Sequence, residues 1–353
     1  MLDALRPRPS SIFPVAGSLF LRLGASLGLL VLLGRGPAVA QSPDAADGAP
    51  TRLIVDTDAN NELDDQHALA YALLSGEAFR VEGVTVNRTD NGGDIDAQAR
   101  EARRVMRLTG LEDAVPIRAG ASGSYDDIAP TVDQPDFDGA PAVNFIVERA
   151  HAGGDRPLVV VAIGKLTNVA LALEKDPSIA DEMRVVWLGS NFPEPGEYNL
   201  ENDPSAINPV LRSGVPFEIA VVRYGRSTGT FAVQTFQSEV RAVMPGLGPA
   251  VEPPVTGRHG GTHTTFGDYS VALFDHVDQS ARALYDVAAV AVLKNPEWAT
   301  RRAVGPYRWE NGGWVRQETG RDLVIWELFY GSQILRDFFD TLRDPVPAAE
   351  RND

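Results

Sequence analysis

The chain has 353 residues, 44% hydrophobic, 8% aromatic and 23% charged, a globular composition that excludes long disorder, collagen-like repeats and coiled coil. It contains no cysteine, which removes disulfides, thiolate metal sites and cysteine nucleophiles. With 32 Lys and Arg against 48 Asp and Glu the net charge is −16; such a chain repels a phosphate backbone, so a nucleic-acid polymer is not an expected partner.

Arg6, Arg8 and Arg22 precede a short apolar run, Leu23 to Gly34, and then Pro37-Ala-Val-Ala40. A basic start, an apolar core and a small-residue end read as a secretory signal over 1–40, cleaved after Ala40. The run is too short to span a bilayer comfortably, so no stable membrane anchor is expected after cleavage, and the product is expected in the periplasm or outside the cell. Residues 41–50 read as a flexible lead-in, and 51–353 as one domain.

Arg52-Leu-Ile-Val-Asp56 is an apolar run ending in acid, which suits a buried parallel strand. Leu63 to Leu74 has helical apolar spacing. A strand over 81–86 and a helix over 96–109, stopped by Gly110, follow. Then come a short strand at 117, a helix over 142–152 and the fully apolar strand Leu158-Val-Val-Val-Ala-Ile163. A helix over 167–174, a strand over 185–189, a helix over 205–214 and a strand over 217–222 continue the alternation. Residues 244–267 are rich in Pro and Gly and predict a long loop; 285–293 is apolar and predicts a buried segment. Near-continuous apolar strands alternating with helices indicate an α/β fold, a mainly parallel twisted sheet flanked by helices on both faces with a Rossmann-like core. Ligands in such sheets bind beyond the carboxyl ends of the strands, which singles out 56–65, 87–94, 163–168, 189–199 and 223–230.

The first of these segments, Asp56-Thr-Asp-Ala-Asn-Asn-Glu-Leu-Asp-Asp65, places five carboxylates within ten residues. They repel one another unless a cation sits among them, and hard oxygen ligands favour Ca²⁺ or Mg²⁺. A solvated acidic loop facing the next helix N-terminus is the plainer alternative. An EF-hand fits poorly, because glycine is missing at Asn61, His67 stands where a bidentate Glu is needed, and a strand precedes the loop. Two other readings are a phosphatase of the haloacid-dehalogenase type and a nucleoside hydrolase.

Val55-Asp-Thr-Asp58 followed by Leu63-Asp-Asp65 resembles the amino-terminal signature of the inosine–uridine preferring nucleoside hydrolase family. Four more segments match in the family's order: Ile163-Gly-Lys-Leu-Thr-Asn168, Asn191-Phe-Pro-Glu-Pro-Gly-Glu197-Tyr-Asn199, Asp203-Pro-Ser-Ala206 and Leu284-Tyr-Asp286-Val-Ala. Together they span roughly residues 51–345. The resemblance implies a Ca²⁺ held by Asp58, Asp65, the carbonyl of Ile163 and Asp286, with Asp56 as a supporting carboxylate. It implies that Asp64, Asn191, Glu197 and Asn199 bind the ribose hydroxyls and 5′ end of a nucleoside. Asn168 is expected to order the turn behind the site, and Asn87 or Asn91 to be a further sugar-side asparagine. Dimers or tetramers are the assemblies that the family suggests.

Those residue types suit N-glycosidic cleavage. The reaction passes through an oxocarbenium-like sugar, whose charge carboxylates and amide oxygens stabilise. A metal ion orients the diol and a bound water and lowers the water's pKa; Asp58, touching both, is the expected general base. The chain departs from the family in two places. The loop Ala59-Asn-Asn-Glu-Leu63 is two residues longer than usual, and Tyr285 stands where members with an imidazole acid carry His. A phenol of pKa about 10 is a poor proton donor to a departing base, so His259 and His263 of the Gly-rich loop are the alternative acids, while His67, His151 and His276 read as structural. The phosphatase reading needs Lys165 as a phosphate clamp and leaves Asn191, Glu197 and Asn199 without a task. A non-catalytic sugar- or nucleoside-binding protein on the same fold is the other alternative.

Overall fold

The computed structural model describes residues 49–153 and 156–349; the expected signal over 1–40 and most of the lead-in lie outside the described residues. Its elements run β1 (Thr51–Thr57), α1 (Leu63–Leu73), β2 (Phe79–Val86), α2 (Ile95–Leu108), β3 (Ile117–Ala119), α3 (Tyr125–Ile128), α4 (Ala140–His151), β4 (Leu158–Ala162), α5 (Thr167–Lys175) and β5 (Met183–Leu188). They continue with α6 (Tyr198–Asn202), α7 (Ile207–Ser213), β6 (Phe217–Ala220), β7 (Gln234–Phe236), α8 (Gln237–Val243), β8 (Val255–Thr256), β9 (Thr262–His263), α9 (Phe266–Phe274), β10 (Ala281–Ala283) and α10 (Tyr285–Lys294). Last come β11 (Thr300–Ala303), β12 (Tyr307–Glu310), β13 (Gly313–Arg316), β14 (Val324–Glu327) and α11 (Gly331–Arg343).

Eight strands form the main sheet in the order β11-β14-β6-β5-β4-β1-β2-β3. All neighbours are parallel except the edge pair β11–β14. Six of them follow the doubly wound order 3-2-1-4-5-6, whose direction of winding reverses between β1 and β4. The crevice that opens there lies beyond Asp56 and Ala162, which are register partners.

Alternation along the strands divides the apolar residues between two layers. Leu53 and Val55 of β1 pack with α1, α2, α9, α10 and α11, whereas Ile54 packs with α4, α5 and α7 on the other face. Helix α1 is buried along its whole length, sandwiched between the sheet and α9, α10 and α11. That helix therefore presents its first turn to the crevice with no freedom to shift.

The expected strands and helices up to residue 222 are present, with ends displaced by a few residues. The predicted long loop over 244–267 carries the short β8–β9 hairpin. The region after 294, where periodicity predicted nothing, holds four strands and α11. Strand β11 is a mostly exposed edge with two arginines in four residues, so it carries no apolar signal. The β12–β13 ribbon turns at Asn311 and Gly312, both at positive φ (52° and 76°), as a two-residue hairpin requires.

Candidate active site

The crevice is floored by acids from three places in the chain. Asp56 is the last residue but one of β1, and Asp58 follows it two residues later. Asp64 and Asp65 occupy the first turn of α1, and Asp286 the first turn of α10. All five are buried. Two helix N-termini thus converge on one point, and the partial positive charge of each favours the carboxylates placed there. The Asp64 carboxylate lies against the backbone N–H groups of Tyr285 and Asp286, so the start of α1 faces the start of α10. Oxygens of Asp64, Asp65 and Asp286 lie within 4.8 Å of one another.

Asp56 is the satisfied member of the group. Its Oδ1 accepts from Thr85 Oγ1 at 2.6 Å and Asn168 Nδ2 at 2.7 Å, and its Oδ2 from Asn87 Nδ2 at 3.0 Å. Asn168 Oδ1 in turn accepts from the Ala121 N–H at 2.8 Å. Asp58 Oδ2 accepts from Thr89 Oγ1 at 2.5 Å, and Asp65 Oδ1 from Thr57 Oγ1 at 2.6 Å. The carboxylates of Asp58 and Asp65 are within hydrogen-bonding reach of each other. Gly164 lets the β4–α5 turn approach this floor: a Cβ there would stand 2.9 Å from Asp58 Oδ1 and 2.8 Å from the Asn87 amide.

Asp58 Oδ1, Asn87 Oδ1 and Asp286 Oδ1 are buried and have no hydrogen-bond partner among the described residues. Burial pushes the acids up, to about 6 at Asp58 and about 7 at Asp64, and well above the ordinary range at Asp65 and Asp286, where neighbouring carboxylates add to the effect. A set of crowded, acceptor-only oxygens in a buried floor is costly unless a cation neutralises it, and hard oxygen donors are what Ca²⁺ and Mg²⁺ take. The donor set fits such an ion.

The walls come from the other strand ends. Ile163, Leu188 and Val222 line them, with Glu197 at the N-cap of α6 and Asn199 in its first turn. Glu197 caps α6: its Oε1 accepts from the Asn199 N–H at 3.0 Å, and its Oε2 from Leu200 at 2.9 Å and Ser190 at 2.8 Å. Burial outweighs these three bonds and raises its pKa to about 7. Asn199 Nδ2 donates to the carbonyls of Ile163 at 3.2 Å and Leu188 at 3.1 Å. A carbonyl oxygen has a second lone pair, so the Ile163 oxygen keeps acceptor capacity.

The residues expected from the sequence thus fall into two groups. Asp58, Asp64, Asp65, Ile163, Glu197, Asn199, Tyr285 and Asp286 meet at or beside the crevice, although Asp64, expected on the sugar, stands within the carboxylate cluster itself. Asn87 and Asn168 lie beneath it, holding Asp56. The others sit elsewhere. Asn191 stitches its own loop: its Nδ2 donates to the carbonyls of Pro195 and Gly196, and its Oδ1 accepts from the Tyr224 N–H. Asn91 is exposed, and its backbone N–H donates to the Tyr198 hydroxyl at 2.9 Å. His259 and His263 do not line the crevice, because their hairpin packs on α2 and α9. His259 stacks on His276 with ring centroids 4.0 Å apart, and His263 lies against Tyr269. Lys165 donates to the carbonyls of Ser122 and Gly123, so it is not free to clamp a phosphate.

Tyr224 and Arg282 line the crevice without having been singled out in the sequence. Tyr224 meets Tyr285 edge to face at 5.7 Å and, with Tyr198, completes an aromatic wall. It lies in the 223–230 segment that the strand-end rule had marked. Arg282 was visible only as one charge in the apolar stretch Ala281-Arg-Ala-Leu284.

Residues 53–321 match the inosine-uridine preferring nucleoside hydrolase family. The non-specific ribonucleoside hydrolase RihC of Salmonella schwarzengrund is 30% identical over 273 residues, 71% of this chain and 81% of that protein. An uncharacterized protein of Schizosaccharomyces pombe is 28% identical over 189 residues, 47% of this chain and 59% of that one, so the chain spans somewhat over half of that relative's length. The structure of a plant nucleoside hydrolase superposes with a TM-score of 0.65 at 20% identity, covering 84% of this chain and all of the other, and shares its fold. The chain belongs to the inosine-uridine preferring nucleoside hydrolase family, whose members hydrolyse N-glycosyl bonds.

Proposed function

We propose that this chain is an exported, calcium-dependent N-ribohydrolase that cleaves nucleosides to ribose and free base. The observation that carries the reading is the floor of the crevice. Asp58 and Asp65 converge there with Asp286, which is distant in the chain, and Asp58 Oδ1 and Asp286 Oδ1 are buried without a donor. Asp58, Asp65, Asp286 and the Ile163 carbonyl would hold the ion, with Asp64 beside them. When bound, a divalent cation orients the ribose diol and acidifies a water. The relative named as a non-specific ribonucleoside hydrolase supports a nucleoside as substrate.

The side chains then have separable tasks. Asp58, buried and with one oxygen free, takes the proton of the attacking water. The remaining carboxylates supply negative potential opposite the positive charge that develops on the ribose ring. Glu197 and Asn199, fixed by backbone bonds, shape the sugar end. Tyr198, Tyr224 and Tyr285 offer faces and edges on which a nucleobase packs. Asp56, gripped by three donors, keeps the turn that carries Asp58 in place.

Purified protein incubated with inosine and with uridine tests this directly. Release of ribose and free base, lost on chelation and restored by Ca²⁺, is the expected result. Tight nucleoside binding without turnover supports the non-catalytic alternative and overturns the proposal. Export rests on residues 1–40. It is tested by cell fractionation and by sequencing the mature amino terminus, which is expected to begin at Gln41.

A further inference from the structure

Arg282 lies in β10, three residues before Tyr285 and four before Asp286. It is the one cation that lines the crevice among the described residues. Its side chain is 15% exposed, pairs with Glu62 of the lengthened loop, and comes within 3.8 Å of Asp64. Its Nε–H is buried and has no hydrogen-bond partner among the described residues. An unmade buried donor costs about 1–3 kcal/mol, so a donor kept in this state at a ligand cleft calls for an acceptor on the ligand.

The reaction has such an acceptor and needs such a donor. When the C1′–N bond breaks, its electron pair moves onto the nucleobase, which leaves as an anion unless it is protonated or stabilised. The imidazoles of His259 and His263 are not in the crevice. Tyr285 is, but a phenol of ordinary pKa about 10 is a poor proton donor to a departing base. Glu62 lies on the loop between β1 and α1, and its pairing with Arg282 keeps the guanidinium at the crevice.

We infer that Arg282 is the leaving-group residue of this enzyme. Its guanidinium donates a hydrogen bond to an acceptor on the departing nucleobase and stabilises the negative charge that forms there. The inference rests on the N-ribohydrolase reading above. The water oxygen bonds to C1′, and the water's proton passes to Asp58 and then to solvent. The base carries away the electron pair of the broken bond and takes its proton from solvent. Arg282 stays protonated throughout, as an arginine does at any working pH.

The test compares leaving groups. Wild type, Arg282→Gln and Arg282→Lys are assayed with Ca²⁺ on inosine, on uridine and on p-nitrophenyl β-D-ribofuranoside, whose nitrophenolate leaves without help. Arg282→Gln is expected to lower kcat/KM on the nucleosides by about 10²–10³-fold and on the nitrophenyl riboside by less than about threefold, with Arg282→Lys in between. The retained nitrophenyl rate shows that the fold and sugar site are intact. Equal losses on all three substrates, or no loss on the nucleosides, overturn the assignment. If wild type hydrolyses none of them, the hydrolase reading itself fails.

Discussion

Strand β1 carries charge at both ends, and the two ends are built on opposite principles. At its start Arg52 grips Glu82 through Nε at 2.7 Å and Nη2 at 3.0 Å, Arg80 and Arg149 reach the same carboxylate at 2.6 and 2.9 Å, and Arg52 also donates to the Arg149 carbonyl. Burial alone would raise the Glu82 pKa, but the three guanidinium groups outweigh it and hold the group at about 2. At the strand's far end Asp58, Asp64, Asp65 and Asp286 are as deeply buried, yet among the described residues no side-chain cation forms an ion pair with Asp58, Asp65 or Asp286, and Arg282 comes within 3.8 Å of Asp64. Their pKa values rise instead. One end of the strand is finished within the protein, and the other is completed by what binds to it. The same residue types make a structural clamp or a site according to whether their counter-charges are supplied internally.

The largest expected effect separates the two ends by activity. Asp58→Asn should lower nucleoside turnover by about 10³–10⁴-fold, while the melting temperature of metal-free protein holds or rises, because a buried charge without a partner has been removed. A matching fall in stability would show that the acid end is structural as well. At the other end, Arg52→Met should cost about 3 kcal/mol of unfolding free energy in urea titrations and leave KM for nucleosides unchanged, since it exposes Glu82 and two carbonyls to incomplete pairing.

Adding Ca²⁺ at about 100 times its dissociation constant should stabilise the protein by about 3 kcal/mol, read as a rise in melting temperature. The rise should be greater at pH 8 than at pH 5. With folded pKa values raised above unfolded ones, the acid floor of metal-free protein is most stable below about pH 4 and loses that advantage as pH passes through 6 and 7. A cation replaces the lost protons. A pH-independent rise would place the ion elsewhere.

Glu82 has the opposite sign. Its folded pKa is lowered, so its contribution is present above about 4.5 and is lost as pH falls towards about 2. The stability gap between wild type and Glu82→Gln should therefore close over that window, by an amount on the order of 2 kcal/mol once solvent screening at the half-exposed Arg80 is allowed for. The smallest effect is expected at Tyr285→Phe, where turnover should change by less than about threefold, because a phenol raised to about 12 packs against a base without protonating it.

Much of this was legible in one dimension. The strands β1, β4, β5 and β6 are largely apolar because both faces of a parallel sheet are buried, and that need writes itself directly into the residues. The acid run 56–65 pointed to a place where a cation could bind for a similarly local reason: adjacent carboxylates repel whatever the fold. Asp64 was harder. On a helix first turn it faces sugar or metal according to how α10 docks, and only the contact of the two helix starts places it in the cluster. The partners of Asn191 likewise came only with the fold. A polar residue in a site loop has its own turn to satisfy, and here the turn took both ends of its amide.

The sequence by itself determined the alternation of strands and helices, the charge imbalance and the chemical type of the floor, because hydrophobic period and like-charge repulsion act between residues close in the chain. Tertiary structure decided which distant groups share the crevice: it brought Tyr224, Arg282 and Asp286 to the acids of β1 and α1 and kept His259 and His263 on a hairpin outside the crevice. Those placements follow from how α1, α9 and α10 pack on the sheet, and packing across some two hundred residues leaves no mark in local spacing.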